Sequence, residues 1–587
     1  MKLVFDIETN GFLENMDKIF SLVIHNVDTD ELFSYKPNEI EKGLHQLLEA
    51  DEIIGHNIMQ FDIPALQKVY PWFVFKKKIF DTLIVSRLIW SDLKELDFKK
   101  RTVPNKLIGS HSLKAWGYRI GDHKDEFGET TDWSEWSQEM QDYCEQDVKL
   151  TSKFYQLILR KKYSQQAIEL EHEFAECIHK QEKLGFCFDV DKAKELHTLL
   201  NTKRVQLLEE LQKIFPPWKK VVGVLIPKRD NKTRGYKKGV PVKKIKEIMF
   251  NAGSRDHIAD RLMTLKGWKP KEFTPDGKPK VDEKVLEKLL YPEAKLLSEY
   301  LLIQKRLGML AEGDNAWIKL EKRGKIYGKV ITNGTATGRC THHSPNIGQV
   351  CSASAKYGKE FRSLFIVPSG YKLVGCDVSG LELRCLSSYL TRWDFGAYRK
   401  ELLEGDIHTA NQLASGVPTR DKAKTFIYAF LYGAGDKKIG EIVKGTAKEG
   451  KHLKETFLRK TPAIKKLRET VIQNYNERGF LYAIDRRRIH PRSEHSALNF
   501  LLQSCGSIIV KKATILLHKN LSHLKYGEDW GMVAHIHDEV QLQVREELAD
   551  EVGKIAVQSI QQTQSHFKFN CELDGEYKIG NNWAETH

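Results

Sequence analysis

The sequence predicts a multidomain protein of mixed α/β and α+β class, and three observations carry that prediction. The chain has 587 residues, enough for roughly three to five domains of ordinary size. Residues 1–155 alternate short β-rich runs with helical stretches, the order expected of an α/β layer. The remainder is mainly helical, interrupted by β-like runs at 326–331, 372–377 and 531–544, the order expected of an α+β unit.

Each element has a local reason. Runs 3–7, 20–26 and 53–55 are rich in Val, Ile, Leu and Phe and read as strands. Residues 169–215 switch to helical periodicity, with a break at Leu184-Gly-Phe-Cys-Phe-Asp189. Residues 219–246 hold eleven Lys or Arg and one acid, Asp230, with Gly and Pro between them. That composition predicts a basic loop, either solvated or tracking a polyanionic backbone. Helical character returns over 255–310 and again over 381–472. A hairpin-like stretch at 480–490 precedes a helix over 496–521, and another helix ends near 567.

Composition narrows the partner class. Ninety-three Lys and Arg against 79 Asp and Glu give a net charge of +14 and a pI near 9.0, which favours nucleic acid as the acidic partner. Nine cysteines without a CxxC pair fit reduced thiols. Cys340, His342, His343 and Cys351 match no standard zinc spacing. No apolar run approaches the roughly 18 residues that span a bilayer. Asp6 and Glu8 come too early for a signal peptide. The chain therefore reads as a soluble cytoplasmic protein with no membrane partner.

The most informative stretch is 418–433. Arg420, Lys424, Tyr428 and Tyr432 recur every four residues, so at helical pitch two cations and two phenols form one stripe. Phe426, Ile427 and Phe430 fall on the other flank as core contacts, Thr419 suits an N-cap, and Gly433 suits a stop. Cations at a helix N-terminus seek anions, and rings a turn or two later suit a base. The stripe thus reads either as a solvated amphipathic edge or as a nucleoside triphosphate site.

Two sets of carboxylates accompany it. Asp6 and Glu8 are two apart in an apolar strand and face the same way. Asp62 follows a short strand, and Tyr143 and Asp147 are spaced i, i+4 on a helix. Four acids with oxygen ligands suit two Mg²⁺ ions, with Tyr143 orienting or deprotonating a water. Asp377 closes an apolar strand, and His537-Asp538-Glu539 lies between two more. Read beside the stripe, they suggest a second two-metal site for phosphoryl transfer.

The order Asp6-x-Glu8, Asn57-x₃-Phe61-Asp62 and Tyr143-x₃-Asp147 resembles the three motifs of DEDDy 3′→5′ exonucleases. The order Arg339, Asp377-x₂-Gly-Leu-Glu382, Arg420-x₃-Lys424-x₃-Tyr428-x₃-Tyr432-Gly433, His537-Asp-Glu539 resembles motifs A, B and C of family A DNA polymerases. Over nearly the whole chain, the resemblance is to the replicative polymerases of short-tailed phages. It implies a ribonuclease H-like exonuclease domain (1–160) followed by a right hand: thumb (161–325), palm (326–390 and 516–587) and fingers (391–515). It further implies that Asp377 and Asp538, with the Val378 carbonyl, hold two Mg²⁺ ions, for which Mn²⁺ can substitute. By the same resemblance Asp6, Glu8, Asp62 and Asp147 hold the exonuclease pair.

The resemblance assigns other roles as well. Arg420, Lys424 and His408 would grip the triphosphate of a dNTP, with Lys424 protonating the leaving pyrophosphate. Tyr428 would stack at the incoming nucleotide, a Tyr that in this family goes with ready acceptance of dideoxynucleotides. Glu382, held by Tyr432, would exclude the ribose 2′-hydroxyl. Glu539 and His537 would lie by the primer terminus, and Arg339 and Gln503 would probe the minor groove of primer–template DNA. A chain starting at the exonuclease motif, with no 5′→3′ nuclease before it, fits a replicase in a phage host's cytoplasm, with a helicase-primase as partner. The short basic stretch between Pro216 and Phe250 speaks against a thioredoxin-type processivity factor and for lysines that hold duplex directly. Of the competing readings, an exonuclease with a nucleic-acid-binding C-terminal module predicts loss of Asp377 or Asp538, and both are present. A single-subunit RNA polymerase is disfavoured by Glu382 and the fused exonuclease motifs.

Overall fold

A computed structural model of the protein describes residues 1–122 and 133–587. The chain forms two compact units. One comprises Met1–Phe186, Gly328–Ala355 and Ile366–His587, the other Cys187–Tyr327 and Lys356–Phe365.

The first unit opens with a five-stranded mixed sheet. Its strands are β1 (Lys2–Thr9), β2 (Ile19–Asn26), β3 (Glu31–Tyr35), β4 (Glu52–Gly55) and β5 (Lys78–Asp81), in the order β3-β2-β1-β4-β5. β4 runs parallel to β1 and β5, whereas β2 and β3 form an antiparallel edge. Both faces are covered. Leu3, Phe5 and Ile7 enter one apolar cluster with α1 (Ile40–Glu49) and α2 (Asp62–Val69), and Val4 enters another. That second face carries α3 (Thr82–Ile89) and α4 (Gln138–Arg160), and α5 (Gln165–Leu184) follows.

In the second unit, α6 (Val190–Ile214) leads into a two-stranded antiparallel ribbon, β6 (Trp218–Leu225) and β7 (Val242–Ile248). Much of the expected basic loop is therefore strand. Val221, Val222, Val224, Val242 and Ile245 supply β-branched residues between the lysines, and that propensity outweighs the polarity on which the loop expectation rested. The helical stretch expected over 255–310 is also broken. α7 (Arg255–Lys266) stops at Gly267 in the left-handed conformation, and α8 (Pro292–Leu307) begins on a proline, with Pro270, Pro275 and Pro279 between.

Back in the first unit, β8 (Tyr371–Val378) runs into α9 (Leu381–Asp394), followed by α10 (Ile407–Ser415), α11 (Arg420–Leu431) and the 24-residue α12 (Ala497–Asn520). β9 (Trp530–Ile536), β10 (Glu539–Arg545), α13 (Ala549–Phe567) and β11 (Gly575–Gly580) complete it. The strands form an antiparallel sheet in the order β9-β10-β8-β11. α12 holds an 18-residue window long and apolar enough to span a membrane by length and composition, which differs from the expectation of no such run. In that 18-residue window 83% of residues are buried, because α12 is the central helix of the core, packed against α5, α9 and α13.

His518, near the end of α12, packs against Tyr526 and Trp530 at ring distances of 5.5 and 4.9 Å. Burial, then Lys180, pushes it down to about 3. The unfolded chain gains this proton near 6.5 and the folded chain does not. Stability is therefore intact above 6.5 and falls with pH below it, by up to about 1.4 kcal/mol per pH unit. His518→Phe is expected to flatten that fall between pH 6.5 and 4, read as denaturation midpoints across pH. An unchanged slope would count against the assignment.

Candidate active sites

Two clusters of acids stand out, and each is built by a strand meeting a helix. On β1, Asp6 and Glu8 share a face with Val4, and that face meets α4. There Cys144 Sγ lies 3.4 Å from the Asp6 carbonyl and 3.8 Å from Asp6 Oδ2. Potential ligand atoms of Asp6, Glu8 and Cys144 all fall within 4.8 Å of one another. Asp62 and Asp147 are buried at the same place, and burial together with Asp6, Glu8, Asp147 and Asp62 pushes the Cys144 thiol far up. Burial, then Asp81 and Asp147, raises Asp62 to about 7. Tyr143 lies one residue before Cys144 on α4, half-buried, with its ring 6.5 Å from Trp133. All five expected residues of this set belong to β1, α2 and α4, and its four acids converge.

The sequence reading missed what positions Asp62. The buried Asp81 carboxylate accepts hydrogen bonds from the backbone N–H groups of Asn57, Met59 and Leu83 at 2.9–3.1 Å, which fixes the turn leading to α2. The Asp81 N–H in turn donates to His172 Nε2 at 2.8 Å, while His172 Nδ1 donates to the Ile168 carbonyl at 2.8 Å. Those two bonds define a neutral imidazole, and burial lowers its pKa. A cavity of about 620 Å³ opens beside this cluster, lined by Phe12, Asn57 and Phe61 on one side and Lys183, Lys329 and His343 on another.

The second cluster forms at the end of the antiparallel sheet. Asp377 on β8 is directly opposite Glu539 on β10, and the Val378 N–H donates to the Asp538 carbonyl at 3.2 Å. His537 and Asp538 form the two-residue turn between β9 and β10, with His537 at φ +58°. Burial, then Asp538 and Glu539, pushes Asp377 up to about 7. Burial, then Glu382, raises Asp538. Glu539 behaves differently. Burial alone would raise it, but His587, Trp583 and Gln541 lower it through contacts at 2.6, 2.7 and 2.5 Å. Nothing in the local pattern around 537–539 announces His587 and Trp583, which lie more than forty positions away in the chain.

The stripe on α11 faces this cluster. Thr419 caps the helix, its hydroxyl accepting from the Lys422 N–H at 3.3 Å, while Phe426, Ile427 and Phe430 are buried. Tyr432 ends the helix, Gly433 follows at φ +72°, and the Tyr432 hydroxyl donates to Glu382 Oε1 at 3.0 Å. Glu382 also lies 3.6 Å from Arg339. Burial, then Glu382 and Asp538, raises Tyr428, the other phenol of the stripe. At the other end, Arg420 donates to Asp406 at 2.6 and 3.1 Å, and Asp406 caps α10 through the His408 and Thr409 N–H groups. Burial, then Arg420 and Lys424, lowers His408, while Lys424 is exposed. Arg339, Gln503 and His537 line one cavity of about 450 Å³ with Phe500 and Arg492.

The donor sets fit divalent cations. Asp377 and Asp538, like Asp6, Glu8, Asp62 and Asp147, are hard oxygen donors of the type Mg²⁺ and Mn²⁺ prefer. Burial first, and then neighbouring carboxylates, raise Asp377 and Asp62, and a nearby positive charge relieves both effects. Cys144 is the one soft donor among them.

Comparison with known proteins bears on the chain as a whole. A model described as DNA polymerase family A matches residues 236–585. The chain is 36% identical to the DNA-directed DNA polymerase of Enterobacteria phage T3, and equally to that of Escherichia phage T7, covering 100% of each chain. DNA polymerase I of Aquifex aeolicus is 25% identical over 99% of this chain and 96% of its own. Among solved structures, the POL domain of Pol1 from M. smegmatis, in complex with DNA primer-template and dNTP, has the same fold. Its TM-score is 0.73 at 16% identity, covering 99% of this chain and 96% of that one. With full-length relatives at this identity and a family model matching more than half its residues, the chain belongs to DNA polymerase family A.

Proposed function

We propose that the protein extends a DNA primer along a template from dNTPs by two-metal phosphoryl transfer and removes mispaired ends with a separate 3′→5′ exonuclease of the DEDDy type. One observation carries the polymerase half: Asp377 and Asp538 sit at adjoining strand ends facing a helix that presents Arg420, Lys424, Tyr428 and Tyr432 in one line. In this reading residues 1–160 form a ribonuclease H-like exonuclease domain, 161–325 the thumb, 326–390 and 516–587 the palm, and 391–515 the fingers. Asp377, Asp538 and the Val378 carbonyl would hold one pair of Mg²⁺ ions, and Asp6, Glu8, Asp62 and Asp147 the other. Such ions, when bound, activate the attacking oxygen and stabilise the leaving one.

The chain's own groups do the rest. Lys424, His408 and Arg420 neutralise the triphosphate, for which Arg420 exchanges Asp406 for phosphate, and Lys424 gives a proton to the departing pyrophosphate. Tyr428 offers a stacking face. Glu382, fixed by the Tyr432 hydroxyl and Arg339, occupies the space a ribose 2′-hydroxyl needs. His537 and Glu539 flank the primer terminus, while Arg339 and Gln503 test the minor groove, whose acceptors are alike in all correct pairs. At the other site Tyr143 orients the attacking water. In a phage setting the work is done in the host cytoplasm beside a helicase-primase.

A labelled primer–template offered dNTPs or rNTPs separates the activities. Asp6→Ala is expected to abolish degradation and spare synthesis, and Asp538→Ala the reverse. Synthesis surviving Asp538→Ala would end the polymerase assignment. Glu382→Ala is expected to raise the use of rNTPs relative to dNTPs by roughly tenfold or more, with Tyr432→Phe giving a smaller shift. An unchanged ratio in Glu382→Ala would remove Glu382 from its role.

A further inference from the structure

Asp406 accepts more donors than a helix cap requires. Its Oδ1 accepts the His408 and Thr409 N–H groups at 3.1 and 3.4 Å, the bonds that start α10, and its Oδ2 accepts the Thr409 hydroxyl at 2.8 Å. To these the Arg420 guanidinium adds a two-pronged contact, Nε to Oδ2 at 2.6 Å and Nη2 to Oδ1 at 3.1 Å. Arg420 first, then Thr409, hold this carboxyl well below the ordinary carboxylate range.

The two partners are not equally free to part. The Asp406 carboxylate has a short stem and is tied to α10 by three donors, so it stays where the helix puts it. The Arg420 fork rides on a long stem at the first residue of α11, and Asp406 is its one ion-pair partner among the described residues. If the fork swings away, Asp406 keeps its three bonds to α10 and water reaches it, because its side chain is 43% exposed. Neither group is then left buried and unpaired, so parting costs little. Phosphate accepts a guanidinium fork with the same two-bond geometry as a carboxylate. Burial, then Arg420 and Lys424, lowers His408, so all three groups share one neighbourhood, and Asp406 is the carboxylate bonded into it.

We propose that Asp406 is a placeholder for phosphate. It keeps the Arg420 fork aimed and neutralised while the nucleotide site is empty, yields it to an incoming triphosphate, and takes it back as pyrophosphate leaves. Asp406 is thus a positioning residue that acts through Arg420 and sets how strongly the site retains a polyphosphate. On the reading of Arg420 as a triphosphate ligand, on which this depends, removing the charge of Asp406 tightens nucleotide binding. An ordinary support would do the opposite. An ion pair with its side chains 43% and 52% exposed is weak, so the expected change is about twofold to fivefold.

Equilibrium binding of the next correct dNTP to the full-length protein tests this. The primer ends in a dideoxynucleotide joined by a phosphorothioate, so that it is neither extended nor readily trimmed. D406N removes the charge and keeps the cap, because Asn and Asp serve equally at that position. Its Kd for the dNTP is expected to fall about twofold to fivefold at low salt, with the gap closing as added salt screens the pair. The Kd for pyrophosphate should fall by a similar factor. A role as a cap alone predicts D406N equal to wild type and only D406A changed. That result, or a raised Kd in D406N, overturns the proposal and leaves the nucleotide site standing. R420A binding the dNTP as tightly as wild type would instead remove the reading of Arg420 on which the proposal depends.

Discussion

Asp538→Ala is expected to lower kcat for primer extension by about 10³-fold or more, the scale on which transition-state charge stabilisation is lost when a central group is removed. The geometry explains why one carboxylate suffices for so large an effect. Asp377 lies at the end of β8 and Asp538 in the turn that enters β10, and they meet only because β8 and β10 are paired. Neither has a substitute, because Glu539 is occupied by His587, Trp583 and Gln541, and Glu382 by Tyr432 and Arg339. The substitution should leave the fold intact, since it removes a source of repulsion that raises Asp377. Single-turnover extension measures the loss, and digestion of the same labelled primer, the activity proposed for the Asp6 cluster, serves as an internal control. A rate within tenfold of wild type would be incompatible with the proposed role.

Glu171→Gln is expected to destabilise the first unit by about 3–5 kcal/mol, the usual consequence of breaking a buried ion pair from one side. Glu171 on α5 is fully buried and lies 2.7 Å from both Lys511 Nζ and Arg487 Nη1. Arg487 also pairs with the buried Asp485 at 2.6 Å, and Asn333 Oδ1 accepts from Lys511 and Arg487 at 3.2 and 3.3 Å. Two cations and two acids thus balance inside the core. Removing one acid leaves a charge with neither water nor partner. The damage should reach function as well, because Asn333 begins the loop that ends at Arg339, and Ser507 on α12 holds that loop through the Gly338 carbonyl at 2.8 Å. Thermal and urea midpoints give the stability change. Replacing Glu171 and Lys511 together with Met should cost less than the sum of the single changes, since it removes the charges instead of orphaning one. A loss under about 1 kcal/mol for Glu171→Gln would contradict this account.

The members of this network are not recognisable from their neighbours along the chain. Glu171, Asp485, Arg487 and Lys511 are scattered over more than three hundred positions, and each alone looks like a surface charge on a helix or turn. His172, adjacent to Glu171, gave no signal either, yet it holds Asp81 and through it the turn before Asp62. Cys144 was counted among nine thiols and stands among four acids. The charge of the basic stretch predicts a loop, but its valines make much of it a ribbon.

What the sequence determined by itself is what backbone geometry repeats over a few residues. Four-residue spacing puts Arg420, Lys424, Tyr428 and Tyr432 on one helical stripe, and two-residue spacing puts Asp6 and Glu8 on one strand face, wherever those elements lie. Caps and stops such as Thr419 and Gly433 follow from the same local chemistry. Only the tertiary structure decided which strand faces Asp377, which phenol reaches Glu382, and which acids neutralise Arg487 and Lys511. Those pairings depend on long-range register and on the cost of burying charge, and neither is encoded in the neighbours of a residue along the chain.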